Sequence, residues 1–293
     1  MSREVPLYEV HQTPVLDAPV MVVAMEGWID AGLGAANAVA ALTEHPPATD
    51  LVTFDVDHFL DLRARRPIVH IVDGVTTDLQ WPRTQVRYGH DRAGADVLFL
   101  TGPEPDYRWH EFIEAVVQLV LRHGVRMVVG LGAFPAPAPH TRPVRLAATA
   151  PPHSADLVAR VGVVQGELEV PAGVLSALEL ALGDAQVPAV SLWARVPHYV
   201  SAMAFPMASA ALVEGLAAVA GLVLDATELA AAGDATRRQV DDLIAGNPEH
   251  LAMVHKLEQA IDASEGNPLG LEQVPSADEL AAELERFLRG EDR

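Results

Sequence analysis

Residues 20–42, VMVVAMEGWIDAGLGAANAVAAL, place a short apolar run just before a segment of small and apolar residues. The run at 20–25 is rich in valine and does not alternate with polar residues, which is typical of a strand covered on both faces. The segment at 33–42 has the spacing of a helix that packs one side against a sheet. A strand followed by such a helix predicts one unit of an α/β fold.

The same order recurs along the chain. Val- and Leu-rich runs at 51–55, 97–101, 126–131 and 189–194 predict four more strands, and 111–123, 174–182 and 208–222 have helical periods. We therefore predict a three-layer α/β/α sandwich with a mostly parallel sheet. Residues 68–88 break the order and predict a hairpin or an excursion from the sheet. The proline-rich residues 133–141, AFPAPAPHT, are expected to form a stiff loop, neither helix nor central strand.

A chain of 293 residues can form one large core or two domains. We assign 1–224 to the sandwich and 225–293 to an acidic, helical C-terminal region, which carries half of the total net charge. Asn247 followed by Pro248 predicts a helix start in this region, and Ser276 with Glu279 predicts another. A flexible linker is expected near 263–275.

Composition excludes several classes of function. The net charge of −20 repels nucleic acids and anionic membrane surfaces, so neither is an expected partner. With no cysteine, the chain has no disulfide, thiolate metal site or cysteine nucleophile. The first ten residues lack the apolar run of a signal peptide, and Glu214 interrupts the longest apolar run, 206–224. We expect a cytoplasmic protein.

Polar residues follow the predicted strands, and in doubly wound sheets such residues meet at the carboxyl edge. Asp30, Glu104, His140 and His198 are therefore candidates for general acid–base catalysis in a shared pocket. Ligand-binding candidates at the same edge are Gly27, Trp28, Gly32, Arg142 and Trp193. The alternative for each residue is structural, since Asp30 and Glu104 can cap helices and the histidines can bind loop carbonyls.

Arg63, Arg65 and Arg66 form the one basic cluster of the predicted sandwich. They are candidates for a subunit interface or a ligand carboxylate, with ordinary salt bridges as the alternative. No cofactor is expected. Gly32 and Asp55 fall where a dinucleotide site has a glycine and a ribose-binding acid, but Asn37 replaces the third glycine. No metal is expected either, since the histidines lack compact ligand spacing.

Five segments together resemble the actinobacterial branch of the proteasome assembly chaperone 2 family: EGWIDAGLGAANAV, DLRARRP, LTGPEPDYRWHEF, the loop ending in PHTRP, and VSLWARVPHYV. The resemblance extends from about residue 20 to residue 224. It implies a sandwich akin to nucleoside phosphorylases and peptidyl hydrolases, found in homo-oligomers, with no established reaction. Eukaryotic relatives assist assembly of proteasome α-rings.

The chain departs from the family pattern in two places. Val170-Pro171-Ala172-Gly173 stands where a GPTG turn is expected, which weakens the case for a ligand site on that turn. The sequence given ends in Gly-Glu-Asp-Arg, without the hydrophobic-Tyr-any motif through which the chaperones dock. We expect a non-enzymatic protein that acts in protein–protein association, as a homo-oligomer, with a trimer the expected number. The alternative is a small-molecule-binding protein or a hydrolase- or phosphorylase-like enzyme that uses the strand-end pocket.

Overall fold

A computed structural model of the chain describes residues 6–27, 29–44, 46–163 and 166–265. Its strands are β1 (Tyr8–Val10), β2 (Val20–Glu26), β3 (Thr49–Phe54), β4 (Ile68–Val72), β5 (Val75–Gln80), β6 (Gln85–His90), β7 (Asp96–Pro103), β8 (Met127–Ala136), β9 (Leu146–Thr149) and β10 (Ala189–Pro197). Eight of them form one sheet in the order β1-β3-β6-β7-β2-β8-β10-β9, and β4 pairs only with β5.

Helices cover both faces of this sheet, which confirms the predicted sandwich. They are α1 (Gly34–Glu44), α2 (Val56–Phe59), α3 (Trp109–Arg122), α4 (Ala155–Ala159), α5 (Val174–Asp184), α6 (Pro206–Ala220), α7 (Thr227–Ala245) and α8 (Pro248–Glu265). Val20 and Val22 of β2 point into a core shared with α1 and α6, while Met21 and Val23 point into a second core with α3 and α5. Because successive strand residues face opposite sides, an unbroken apolar run is what a sheet buried on both faces requires.

The centre of the sheet is parallel and its edges are antiparallel. β7, β2, β8 and β10 run parallel, whereas β1, β3, β6 and β9 join antiparallel to their neighbours. The strand predicted at 51–55 is present as β3, but it lies outside the parallel part. Between β3 and its antiparallel neighbour β6 the chain forms the single turn α2 and the strands β4 and β5, and not the helical crossover that a parallel pair uses.

The predicted excursion at 68–88 is confirmed for β4 and β5, which form a separate antiparallel hairpin. The last part of that stretch returns to the main sheet as β6, which pairs with β3 and β7. The hairpin therefore stands outside the sandwich, and every residue of β4 and β5 is exposed.

The expectation that residues 133–141 contain no central strand is wrong for 133–136. β8 continues through Pro135 to Ala136 and pairs with β10 along this length. The pairing of β8 with β2 ends at Gly130. After Gly130 that side of β8 has no regular ladder of hydrogen bonds, so the missing N–H of Pro135 interrupts none there. Residues 137–141 form an irregular loop, as predicted.

The C-terminal helices pack on the sandwich. Asn247 accepts a hydrogen bond from the backbone N–H of Glu249, which confirms the predicted start of α8. Val240, Ile244 and Val254 are buried in the core that α1 and α6 share. The division at residue 224 stays a prediction. α8 continues to residue 265, and the rest of the predicted linker and the helix start at 276 lie outside the described residues. No helix in the described part of the chain is long and apolar enough to cross a membrane.

Candidate functional site

Asp30 follows β2 and caps α1. Its two carboxylate oxygens accept hydrogen bonds from the backbone N–H groups of Ala35 at 2.7 Å and Ala36 at 2.9 Å. Burial raises the pKa of Asp30, and the hydrogen bonds from these amides act in the opposite direction. The side chain is thus committed to satisfying the first amides of a helix, the structural alternative considered for it.

Gly32 lies in the turn between Asp30 and α1, with φ of 65°. A Cβ at this position would lie 2.7 Å from the Cβ of Phe205, so no larger residue fits. Its N–H donates to the carbonyl of Ser201, and its own carbonyl accepts from the N–H of Phe205. Gly32 therefore joins the loop after β2 to the loop after β10.

His140 is only 2% exposed and is hydrogen-bonded on both ring nitrogens. Nε2 lies 3.0 Å from Oδ1 of Asp241 on α7, and Nδ1 lies 2.7 Å from the hydroxyl of Tyr199, which also accepts the backbone N–H of His140. Burial raises the pKa of Tyr199 to about 12, so its hydroxyl keeps its proton and can donate to Nδ1. In this arrangement Nδ1 accepts from Tyr199, and the Nε2–H donates to Asp241.

Arg142 is also bound by the C-terminal helices. Its Nε and Nη2 donate to the two oxygens of Asp262, at 2.9 and 2.8 Å, and its Nη1 donates to Glu258 at 3.1 Å. These hydrogen bonds raise the pKa of Arg142 above its usual value and hold the pKa of Asp262 below its own. Thr141 donates to Glu258 as well. The loop 137–142 therefore docks α7 and α8.

His198 is exposed and lies edge-on to Tyr199, with ring centroids 5.3 Å apart. It therefore lies beside the pair formed by Tyr199 and His140. In the described part of the chain, no group of three or more His, Asp or Glu side chains could hold a metal ion.

Glu104 follows β7 and caps a helix on the opposite face of the sheet. Its Oε2 accepts a hydrogen bond from the backbone N–H of Val174, the first residue of α5, at 3.0 Å. Gly27 lies against it: a Cβ there would be 3.1 Å from Cγ of Glu104 and 2.9 Å from Nη2 of Arg65, and its φ of 129° is one that other residues rarely adopt. Trp28, the next candidate, lies outside the described residues.

A small recess opens between Glu104, the start of α5 and the ends of the central strands. Its volume is about 350 Å³ including the part open to solvent, and its closed part holds little more than one water molecule. The lining consists of Met25, Ile29, Glu104, Leu131, Gly132, Gly173, Leu175, Ser176 and Trp193. Two of the predicted site residues, Glu104 and Trp193, therefore share one recess, and His140 and Arg142 are not among its lining residues.

A polar chain that the sequence interpretation missed runs from the half-buried Trp193 through the exposed Thr149 to the buried Glu179. The indole Nε1 donates to Oγ1 of Thr149 at 3.2 Å, and Thr149 donates to Oε2 of Glu179 at 3.0 Å. Ser191 donates to the same oxygen at 2.6 Å. Burial raises the pKa of Glu179, whose two hydroxyl partners act to lower it. Glu179 lies next to the buried Leu178 and three residues before the buried Leu182. This helical spacing places Glu179 on the buried face of α5 and could have indicated its burial from the sequence.

The basic cluster is divided in the structure. Arg65 forms a salt bridge with Asp106 at 3.1 Å, whereas Arg63 and Arg66 are exposed. All three precede the exposed β4–β5 hairpin. Their assignment to an interface stays a prediction.

The polar residues of the carboxyl edge thus fall into two groups, one on each face of the sheet. Asp30, His140 and Arg142 bind α1, α7 and α8, while Glu104 and Trp193 line the recess at α5. The chain is therefore an α/β/α sandwich protein in which C-terminal helices bind a loop that follows a parallel central strand.

Residues 24–244 match the PAC2 family, and the chain belongs to that family. Its structure is similar to a protein of unknown function from Corynebacterium glutamicum, with a TM-score of 0.84, 30% identity, and coverage of 90% of this chain and 99% of that one. It is also similar to a Mycobacterium tuberculosis protein of unknown function, with a TM-score of 0.83, 31% identity, and coverage of 91% and 95%. A Mycobacterium tuberculosis proteasome-assembly chaperone homologue has a TM-score of 0.74, 35% identity, and coverage of 80% and 99%. No curated protein matches the chain.

Proposed function

We propose that this PAC2 family protein is a non-enzymatic, cytoplasmic protein that acts by protein–protein association in proteasome-related assembly, and that it works as a homo-oligomer, with a trimer the expected number. The 35% identity to a proteasome-assembly chaperone homologue supports the assembly role. An enzyme built on the predicted catalytic and ligand-binding residues would need one ring nitrogen of His140 to leave Tyr199 or Asp241, and Arg142 to leave Asp262.

The observation that carries the proposal is the exposed β4–β5 hairpin. Seven of the nineteen exposed large apolar side chains in the described part of the chain lie between residues 68 and 81: Ile68, Val69, Ile71, Val72, Val75, Leu79 and Trp81. An isolated two-stranded hairpin is marginally stable in water, and clustered exposed apolar side chains mark interaction sites. The hairpin is therefore best explained as a surface that another protein chain covers.

A second copy of this chain is a suitable partner for the hairpin. Exposed Arg63, Arg66 and Arg83 flank its two ends, in a chain whose net charge is −20. Exposed Asp242 and Glu249 of the C-terminal helices offer the opposite charge. Electrostatic complementarity of this kind steers association and fixes its register.

The hairpin variant Val69→Thr, Ile71→Thr and Leu79→Thr tests the self-association. All three side chains are at least 42% exposed, so the substitutions keep strand propensity and remove no core contact. We expect the wild-type chain to sediment at a multiple of 31.3 kDa and the variant to sediment as a monomer. A monomeric wild type would contradict the homo-oligomer, and an oligomeric variant would contradict the role of the hairpin.

A matched control is Leu121→Thr, Val163→Thr and Leu180→Thr, which removes three apolar side chains of similar exposure outside the hairpin. This control should keep the wild-type mass. If it dissociates as the hairpin variant does, general loss of surface hydrophobicity explains the result.

The assembly role is tested with purified actinobacterial proteasome α- and β-subunits. We expect the wild-type chain to co-elute with α-subunits and to change the rate at which rings form, measured by native mass spectrometry. The hairpin variant separates self-association from ring assembly, because it shows whether ring assembly requires the oligomer. No co-elution and no change in rate would contradict the assembly role while leaving the oligomer intact.

A further inference from the structure

The recess beside α5 combines an acidic group with apolar walls and an aromatic ring. We propose that it is a binding site for a primary alkylammonium group, with the ammonium against Glu104 and the methylene stem against Trp193. The proposal does not rest on the assembly function. The ammonium can come from a free amine or from a lysine side chain of a protein.

The carboxylate of Glu104 decides the charge of the ligand. It occupies the N-terminus of α5, where its Oε2 accepts the amide of Val174, so an anion would meet a like charge there. Its other oxygen, Oε1, lies beside Gly27, 3.3 Å from the position that a Cβ would take there. Arg65 lies over Gly27, but Asp106 balances its charge, so Glu104 sets the net charge at the recess.

The apolar walls decide the shape of the ligand. Met25, Ile29, Leu131 and Leu175 line the recess beside the indole of Trp193. A primary alkylammonium has an unbranched apolar stem for such walls and a charged tip, and cations are attracted to tryptophan faces. The closed part of the recess holds little more than one water molecule, so it admits only the tip of a chain, and the methylene stem lies in the part open to solvent.

The buried carboxylate of Glu179 fixes the orientation of Trp193 through Thr149. Glu179 is 9% exposed, and its burial is unfavourable for the charged form. Through Thr149 it positions the indole Nε1–H, while Gly132 lets the ring lie directly on β8, since a Cβ there would be 2.3 Å from Cζ3 of Trp193. Glu179 and Thr149 are thus positioning residues for an aromatic wall of the recess.

The test uses the full chain with 5-fluorotryptophan at its four tryptophans, followed by ¹⁹F NMR. Trp193→Phe identifies the signal of Trp193. We expect n-butylamine to shift this signal in a saturable way and n-butanol, its neutral counterpart, to leave it in place. A blocked tripeptide with a central lysine then shows whether a lysine side chain on a peptide enters the recess as the free amine does.

Glu104→Gln is the matched variant, because glutamine keeps an acceptor for the amide of Val174 and removes only the charge. It should bind n-butylamine about tenfold more weakly or worse, since hydrogen bonds to charged groups are stronger than neutral ones. Gly132→Ala, which displaces the ring, should abolish the shift. Glu179→Ala should move the Trp193 signal before any amine is added, and Glu179→Gln should restore it.

The proposal is overturned by any of three results. The first is that the Trp193 signal does not move at amine concentrations that leave the other tryptophan signals unaffected. The second is that n-butanol shifts the Trp193 signal as much as n-butylamine does. The third is that Glu104→Gln binds n-butylamine as tightly as the wild type. None of them bears on the mass of the oligomer or on ring assembly, so this site and the assembly function fail separately.

Discussion

On the face of the sheet covered by α1 and α6, Asp30, His140 and Arg142 each bind another part of the chain. On the face covered by α5, Glu104 also caps a helix, but it remains beside a recess with Trp193. The residue types are alike, and the difference lies in what covers them. On the first face α1 satisfies Asp30 and the C-terminal helices satisfy His140 and Arg142, so we expect another molecule to bind on the second face. The comparison is tested by removing polar groups from each face.

The largest expected loss of stability is that of His140→Ala. The substitution removes a side chain that is 2% exposed and leaves Tyr199 and Asp241 without their partner. We expect the free energy of unfolding, measured with urea, to fall by about 2–3 kcal/mol. His198→Ala, at an exposed histidine of the same edge, is the control and should change it by less than about 0.5 kcal/mol. Equal effects would mean that His140 does not hold α7.

Asp30→Ala should have the next largest effect. It leaves the amides of Ala35 and Ala36 without their acceptor, and loss of a helix cap costs about 1–2 kcal/mol. Asp30→Asn keeps one acceptor oxygen and avoids burial of a charge, so it should recover at least half of the loss in urea unfolding. If Asp30→Asn loses as much stability as Asp30→Ala, the negative charge of Asp30 stabilises the fold and the capping hydrogen bonds alone do not.

Glu179→Gln tests the buried carboxylate through pH. Because burial raises its folded-state pKa above the usual 4.5, the folded chain binds the proton more tightly than the unfolded chain does. Its contribution to stability is therefore present below the usual value and is lost as the pH rises through the raised pKa. Glu179→Gln cannot ionise, so it should become more stable relative to wild type as the pH rises through this window.

The measurement for this variant is urea unfolding at several pH values from 4 to 8. Glu214→Gln, at an exposed glutamate on α6, is the control and should follow the wild-type profile. A parallel profile for Glu179→Gln would mean that Glu179 ionises in the folded protein as it does in the unfolded chain.

Much of the fold could be predicted because it depends on local patterns. The unbroken run from Val20 to Val23 indicates burial on both faces, and the segments that break the period, such as the hairpin, are visible as breaks. The site depends on pairs that are distant in sequence. His140 meets Asp241, 101 residues away, and Arg142 meets Asp262, 120 residues away. No local spacing shows such a pair, so the sequence could place these residues at the sheet edge but could not show what binds them.

The smallest expected effect on global stability, and the sharpest local one, is that of Arg142→Ala. Its bonds to Asp262 and Glu258 are partly open to solvent, and such ion pairs contribute little to the free energy of unfolding. They do hold α8 in place, so we expect amide hydrogen exchange to become several-fold faster in α8 while α3 is unchanged. Arg160→Ala, which breaks an exposed pair with Asp156 within one turn of α4, is the control and should leave α8 unaffected.

Because Arg142 lowers the pKa of Asp262, the wild-type pair is intact above the usual value of 3.8 and weakens as the pH falls through the lowered pKa. Acid should therefore bring the exchange of wild-type α8 toward that of the variant, and a difference that persists in acid would mean that Arg142 holds α8 through packing of its side chain.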